Sequence, residues 1–170
     1  MDQSVDMTTA CFDSCEDCVD YAALLHGSWS PIGMGVGPNQ GDEGWWSYPR
    51  DGSRGCWEDD VFEFKADGTF TMDLGADTWL EGWQGVASEG CGAPVAPHVS
   101  ADHTYSFNAS AMELTVNGDG AYVVLAKAHN SGEDGNSGGS IMYHVTSVTE
   151  TEMILDLNYG NWWRLYLKKN

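Results

Sequence analysis

The chain has 170 residues and a formal net charge of −19, because 26 acidic side chains face only 7 basic ones. This charge argues against nucleic acids and anionic membranes as partners, since both bind proteins through Lys and Arg. The length fits one domain, and a hydrophobic fraction of 42% excludes a chain that is disordered throughout.

Residues 1–23 are predicted to be an acidic, cysteine-containing segment that precedes one domain at 24–170. The start of the chain is too polar for a signal peptide, so an exported protein would be a mature form with a replaced Met. Cys11, Cys15 and Cys18 are spaced like metal ligands but lack a fourth partner, so a local disulfide plus a spare thiol is the simpler interpretation. No apolar run approaches the roughly 20 residues of a membrane helix, and no membrane insertion is expected.

The first predicted element, at 21–26, is a short helix or a lead-in to the domain, and alternating apolar runs follow from Gly27. The clearest is a hairpin of residues 61–64 and 70–72 that turns at Gly68. Further strands are predicted at 105–107, 112–117, 121–127, 141–145 and in a last pair at 154–168. Roughly eight short strands predict an all-β fold whose edges must be hidden, as in an antiparallel barrel, with a β-sandwich as second choice.

Two glycine-rich stretches, 33–55 and 129–139, are predicted to be long loops, where binding sites usually reside. They lack the Lys-Ser/Thr pair of a phosphate-binding loop.

Cys56 and Cys91 flank the most aromatic region of the chain. We predict a disulfide between them and an oxidising compartment, against the alternative of two reduced thiols.

Eight tryptophans in one small domain are the strongest functional signal. Four form two adjacent pairs, 45–46 and 162–163, and neighbours in an extended chain point to opposite faces. If residues 77–84 are extended, Trp79, Glu81 and Trp83 share one face. Indole rings with a carboxylate between them suit a sugar chain, because indole covers the apolar face of a pyranose and the carboxylate accepts from hydroxyls. The alternative is that these indoles belong to the core.

Carboxylates and histidines give weaker signals. Acid pairs can serve glycosidases or bind calcium, but no EF-hand spacing is present. Most acids are expected on the solvated surface, with Asp59 and Asp60 as exceptions because they adjoin Cys56, Trp57 and Phe62. His98 ends a proline-rich loop, where it could point into a pocket or act as a structural hydrogen-bonding group.

Several motifs follow one another along the chain: GSW at 27–29, GVGP at 35–38, GWW at 44–46, CWEDDVFEFKADGTF at 56–70, TWLEGWQG at 78–85, CGAPVAPH at 91–98, NGDGAYVVLAK at 117–127 and LNYGNWWRLYL at 157–167. Over residues 24–168 this order resembles a domain of secreted multidomain proteins of marine Bacteroidetes. In those proteins the domain lies beside family-16 glycoside hydrolases and surface glycan-binding lipoproteins. The barrel motifs also resemble the looser lipocalin-like pattern.

The resemblance implies a secreted or cell-surface, non-catalytic module that binds a polysaccharide, alone or appended to a larger enzyme or lipoprotein. The motif residues taken as ligand-binding are Trp45, Trp46, Trp79, Glu81, Trp83, Gln84, His98, Lys127, Trp162 and Trp163. We expect a neutral β-glucan such as laminarin, because a sulfated polymer would need basic residues and only Lys127 and Arg164 lie near these motifs. No catalytic residue, metal site or cofactor is predicted. The alternatives are a glycoside hydrolase-like enzyme with paired carboxylates and an acidic surface protein that binds calcium or a small ligand.

Overall fold

Alternating apolar side chains form strands that curl into a closed antiparallel barrel. The computed structural model describes residues 18–49, 51–133 and 139–170. The helices in these ranges are α1 (Tyr21–Leu25), α2 (Gly55–Glu58) and a 3₁₀ turn (Gly82–Gln84). The strands are β1 (Gly27–Gly37), β2 (Trp46–Ser47), β3 (Val61–Phe64), β4 (Thr69–Asp73), β5 (Thr78–Leu80), β6 (Gly90–Gly92), β7 (Ala101–Asn108), β8 (Glu113–Asn117), β9 (Ala128–His129), β10 (Gly132–Glu133), β11 (Ser140–Val148), β12 (Glu152–Asn158) and β13 (Trp162–Lys169).

Eight strands make the barrel, in the order β13-β12-β11-β8-β7-β4-β3-β1. Strand β1 also pairs with β13, from Trp29 opposite Lys169 to Gly37 opposite Trp162. This pairing closes the sheet and leaves no free edge among these strands. The up-and-down order is that of a lipocalin-like barrel, so the first of the two predicted architectures is confirmed and the β-sandwich is wrong.

Helix α1 lies at the end of the barrel where β1 begins. The Asp20 carboxylate accepts a hydrogen bond from the Ala23 N–H at 2.9 Å, which caps the helix. Leu25 and Trp29 are fully buried, and the Trp29 indole donates to the Leu25 carbonyl at 2.9 Å. Lys169 donates to the Leu24 carbonyl and lies 5.0 Å from the Trp29 ring. The helix is therefore tied to the first and last strands.

The apolar run at 121–127 predicts a strand, and this prediction is wrong. Residues 121–125 are all buried, yet they form no strand. Side chains from other elements satisfy their backbone groups instead: the Val123 N–H donates to the Tyr143 hydroxyl at 2.9 Å, and the Val124 carbonyl accepts from the Trp57 indole at 2.8 Å. We call residues 121–125 the plug, because they fill the interior of the barrel.

The glycine-rich stretch at 33–55 is predicted to be a loop throughout, but its first five residues, 33–37, belong to β1, which continues to Gly37. A Cβ atom on Gly35 would lie 2.5 Å from the Glu43 side chain, and one on Gly37 would lie 2.5 Å from the Asp42 carbonyl oxygen. Glycine is therefore needed so that residues 38–44 can fold back closely over the strand.

The predicted disulfide between Cys56 and Cys91 is present and ties α2 to β6. Cys11 and Cys15 lie outside the described residues, so the metal and local-disulfide interpretations of the N-terminal cysteines stay predictions. Across the part of the chain that the structure describes, no helix is long and apolar enough to cross a membrane.

Candidate functional site

The barrel end opposite α1 contains a cavity of about 550 Å³, which we call the cup. Its floor consists of buried side chains of β1, the plug and β13, namely Met34, Val36, Leu125 and Trp163. Its wall comes from the chain connections at this end, namely Trp45, Trp46 and Arg54 from 38–60, Glu81, Gly82, Trp83 and Glu89 from 74–100, Lys127 and Glu133 from 118–139, and Tyr159 from the β12–β13 turn. The size lies within the usual range of small-ligand pockets.

Strand β2 and the residue that precedes it place two indoles at the rim of the cup. It pairs with the end of β1, with Trp46 opposite Val36, and the Trp45 N–H donates to the Val36 carbonyl at 3.1 Å. Trp45 keeps 57% of its surface exposed and Trp46 keeps 38%. Both indoles are exposed, and both border the cup.

Trp163 forms an aromatic floor that is held by charged neighbours. Its indole N–H donates to the Glu133 carboxylate at 2.5 Å, and the Trp46 ring meets it edge-on at 6.1 Å. The Lys127 ammonium lies 5.3 Å from the Trp163 ring centre and 4.0 Å from Glu133. This half of the cup therefore combines two indoles with one carboxylate and one ammonium group.

The opposite half is built by the 3₁₀ turn. Glu81 and Gln84 cap this turn reciprocally: the Glu81 N–H donates to the Gln84 side chain at 3.0 Å, and the Glu81 side chain accepts from the Gln84 backbone. The Trp83 indole donates to the Glu81 carboxylate at 2.9 Å. Trp83 and Glu81 thus fix one another at the wall of the cup.

This turn corrects the expectation that residues 77–84 are extended. The strand ends at Leu80, which is buried as expected, and the chain then tightens at Gly82. Trp79 and Trp83 therefore do not share the face of one strand. Trp79 packs against the core, and the Arg54 guanidinium lies 4.2 Å from its ring centre. Arg54 also lies 5.6 Å from the Trp46 ring, so it separates Trp79 from the rim of the cup.

Other predicted binding residues lie outside the cup lining. His98 is buried behind Trp83, 5.5 Å from its ring, and bonds the Gly120 carbonyl through Nδ1 at 3.0 Å. Trp162 lies on the outer face of β13, 5.6 Å from the His144 ring. Gln84 and Trp79 lie in a smaller adjoining recess. The predicted residues that do line the cup are Trp45, Trp46, Glu81, Trp83, Lys127 and Trp163.

Sequence reasoning did not select eight of the lining residues as binding residues, namely Met34, Val36, Arg54, Gly82, Glu89, Leu125, Glu133 and Tyr159. Glu133 lies in the second predicted binding loop, and Tyr159 in the last motif, so position along the chain could have indicated both. Met34, Val36 and Arg54 lie in the first predicted binding loop, 33–55, so position could have indicated them too, although residues 33–37 form the end of β1.

An ion pair on the outside of the barrel holds the loop that carries the rim indoles. Arg164 donates twice to the fully buried Asp156 carboxylate, at 2.8 Å each, and Gln40 donates to it at 3.1 Å. Burial alone would raise the pKa of Asp156, but the hydrogen bonds from Arg164, Thr146 and Gln40 outweigh it and lower the pKa. Arg164 is thus a loop anchor and lies away from the cup.

Asp60 is a second acid that the fold removes from solvent. It is fully buried and accepts a hydrogen bond from the Thr78 hydroxyl at 2.7 Å. Burial raises the pKa of Asp60 to about 8, and the negative charges of Asp59, Asp73 and Asp77 add to this effect. Asp59 is exposed, so only one of the two singled-out acids is buried.

Among the described residues, one group of three potential metal ligands occurs, formed by Cys56, Asp77 and Cys91. Both sulfur atoms belong to the disulfide, so this group offers no thiolate to a metal.

Comparisons with known proteins give structural similarity alone. No protein-family model and no curated protein matches the chain. Among solved structures, the chain is similar to a lipocalin-like protein from Bacteroides uniformis, with 13% identity and a TM-score of 0.47. It is also similar to an uncharacterized protein from Bacteroides eggerthii, with 12% identity and a TM-score of 0.44. Each similarity covers 86% of this chain and 99% of the other.

Proposed function

We propose that this protein is a non-catalytic carbohydrate-binding domain whose cup binds a neutral glucan such as laminarin. The observation that carries the proposal is the concave arrangement of exposed indoles beside carboxylates at the open end of the barrel. Sugar rings present apolar C–H faces and polar hydroxyl edges, and this lining offers a surface for each. Trp45 and Trp46 supply exposed aromatic surface at the rim.

The polar groups of the cup are held in place before a ligand arrives. Glu81 bonds the Trp83 indole and Glu133 bonds the Trp163 indole, so two carboxylates have restricted orientations. Each carboxylate has further lone pairs that can accept from sugar hydroxyls. Because fewer side-chain rotations are lost on binding, such preorganised acceptors favour affinity.

The charge of the cup fits a neutral ligand. Of the described lining residues, Glu81, Glu89 and Glu133 are acidic, whereas Arg54 and Lys127 are basic. The whole chain carries −19, which repels polyanions at long range. A sulfated polymer would therefore be repelled both by the net charge of the protein and by the carboxylates of the cup. A neutral glucan would not be repelled by either.

The wider setting of the proposal is polysaccharide use outside the cell. The Cys56–Cys91 disulfide is compatible with an oxidising compartment. Together with the motif resemblance to secreted marine Bacteroidetes proteins, it supports a secreted or cell-surface domain. Such a domain would act beside a glycan-degrading enzyme or as part of a larger protein.

Trp46→Ala and Trp83→Ala are each expected to weaken laminarin binding by about 1 to 3 kcal/mol, as loss of an aromatic anchor does. Trp162→Ala is the matched control, because its indole lies on the outer face of the barrel and not in the cup. Isothermal titration calorimetry gives the affinities, and near-ultraviolet circular dichroism shows whether each variant keeps its native packing. A Trp162 variant that binds less well than both cup variants would contradict the proposal.

A glycan-active enzyme is the alternative, because three carboxylates line the same cup. Glycosidases need an acid and a second carboxylate on opposite sides of the scissile bond. If the pure protein steadily released reducing ends from laminarin, and Glu81→Gln abolished this release, catalysis would replace binding as the function. We expect binding without release.

A further inference from the structure

We infer that the cup receives the end of a glucan chain and not an internal segment of it. This inference rests on the proposed function, because it names the part of the polysaccharide that the same site would recognise. It follows from the shape of the wall, the closure of the floor and the position of the indoles.

The wall of the cup comes from every side of the barrel mouth. The barrel order places β1, β4, β8 and β12 at successive positions around the sheet, with one strand between each of them. The connections that follow these four strands contribute, for example, Trp46, Trp83, Lys127 and Tyr159 to the lining. A groove needs two opposed gaps for an internal segment to enter and leave, whereas here each of the four connections contributes residues to the lining.

The floor of the cup is closed by packed side chains. Met34, Val36, Leu125 and Trp163 are all buried, and so are the other plug residues, 121–124. Below the plug, the core continues through fully buried residues to Trp29, and α1 lies at the far end of the barrel. A chain that enters from the mouth therefore has no route through the barrel in the described part of the protein.

The indoles favour a ligand that points into the cup. Trp45 and Trp46 lie at the rim, whereas Trp163 lies at the floor and meets Trp46 edge-on at 6.1 Å. Aromatic surface thus extends from the mouth downward, which suits sugar rings that follow one another into the cavity. A volume of about 550 Å³ fits a short oligosaccharide, as small-ligand sites do, and leaves the rest of the polymer in solvent.

The test is calorimetric titration with linear β-1,3-glucan fractions of increasing mean length, each expressed as moles of chain. Recognition of ends predicts one protein per chain at every length and the same affinity per mole of chain once the cup is filled. Short oligosaccharides should also displace the protein from long glucan at equal chain concentrations. Trp46→Ala should weaken binding to every fraction, and Trp162→Ala should leave all of them unchanged.

Two results separate the failure of this inference from the failure of the proposed function. If the number of bound proteins and the affinity per chain rise in proportion to length, the protein binds internal segments. In that case glucan binding stands and end recognition is overturned. If no fraction binds, both the proposed function and the inference are overturned.

Discussion

Asp60→Asn is expected to stabilise the protein increasingly as the pH rises from about 4 to about 8. Burial raises the pKa of Asp60 from 3.8 to about 8, so between these values the folded protein holds a proton that the unfolded chain releases. The free energy of unfolding of the wild type therefore falls by about 1.4 kcal/mol per pH unit from this residue alone. The stability associated with protonated Asp60 is complete below pH 4 and is lost by about pH 8.

The geometry around Asp60 explains why its charge is so costly. Its side chain is fully buried; Thr78 donates to Oδ2, but Oδ1 has no hydrogen-bond partner among the described residues. An ionised carboxylate would keep one oxygen unsatisfied in a site without solvent. Asparagine has nearly the same shape and no charge, so it retains the Thr78 contact and removes the dependence on pH.

Urea unfolding of the wild type and of Asp60→Asn across this pH range measures the difference. Asp59→Asn is the control, because it changes the neighbouring exposed carboxylate and leaves Asp60 in place. Its stability should still fall with rising pH, with the fall ending at a slightly lower pH because the Asp59 charge adds to the raised pKa of Asp60. Parallel curves for Asp60→Asn and wild type would show that the carboxylate is hydrated in the folded protein.

Removal of the disulfide is expected to lower the free energy of unfolding by about 3 to 4 kcal/mol. Cys56 and Cys91 are separated by 35 residues. A cross-link over such a loop lowers the entropy of the unfolded chain, which raises the free energy of unfolding by about 3 to 4 kcal/mol. The bond also joins α2, next to Arg54, to the β5–β6 pair that leads into and out of the Trp83 turn. We therefore expect weaker laminarin binding as well as lower stability.

The measurement is urea unfolding of Cys56→Ala, Cys91→Ala and the double variant. Either single substitution should cost nearly as much as both together, because one missing sulfur removes the cross-link. Costs that simply add would show that the side chains act through packing and not through the covalent bond. Unchanged stability in all three variants would refute the structural importance of the disulfide.

The elements that sequence reasoning placed well are those with a strict period of two. Phe62, Phe64, Phe70 and Met72 alternate with polar residues, and all four are buried in the β3–β4 hairpin. The last strand shows the same pattern. The face of each side chain in such a strand is a local property of the backbone, and Gly68 marks the turn, so no distant contact is needed to predict the hairpin.

The elements that sequence reasoning misplaced depend on contacts with residues that are distant in the chain. The plug is apolar on both sides, which indicates burial without indicating a strand, and its backbone is held by Tyr143 and Trp57 from far along the chain. Residues 33–37 contain three glycines and read as a loop. They form a strand because they pair with β13, which lies more than a hundred residues away.

The sequence by itself determined the fold class, the disulfide pairing and six of the aromatic and charged residues that line the cup, because composition, alternation and local motifs carry that information. Only the tertiary structure decided which member of a tryptophan pair faces inward. The register between β1 and β13 turns Trp163 to the floor and Trp162 to solvent, and a shift of one residue would exchange them. Closure of the barrel likewise brings Arg54, Glu89 and Tyr159 together at the open end. Their proximity arises from pairing between strands that are distant in the chain, so local sequence does not indicate it.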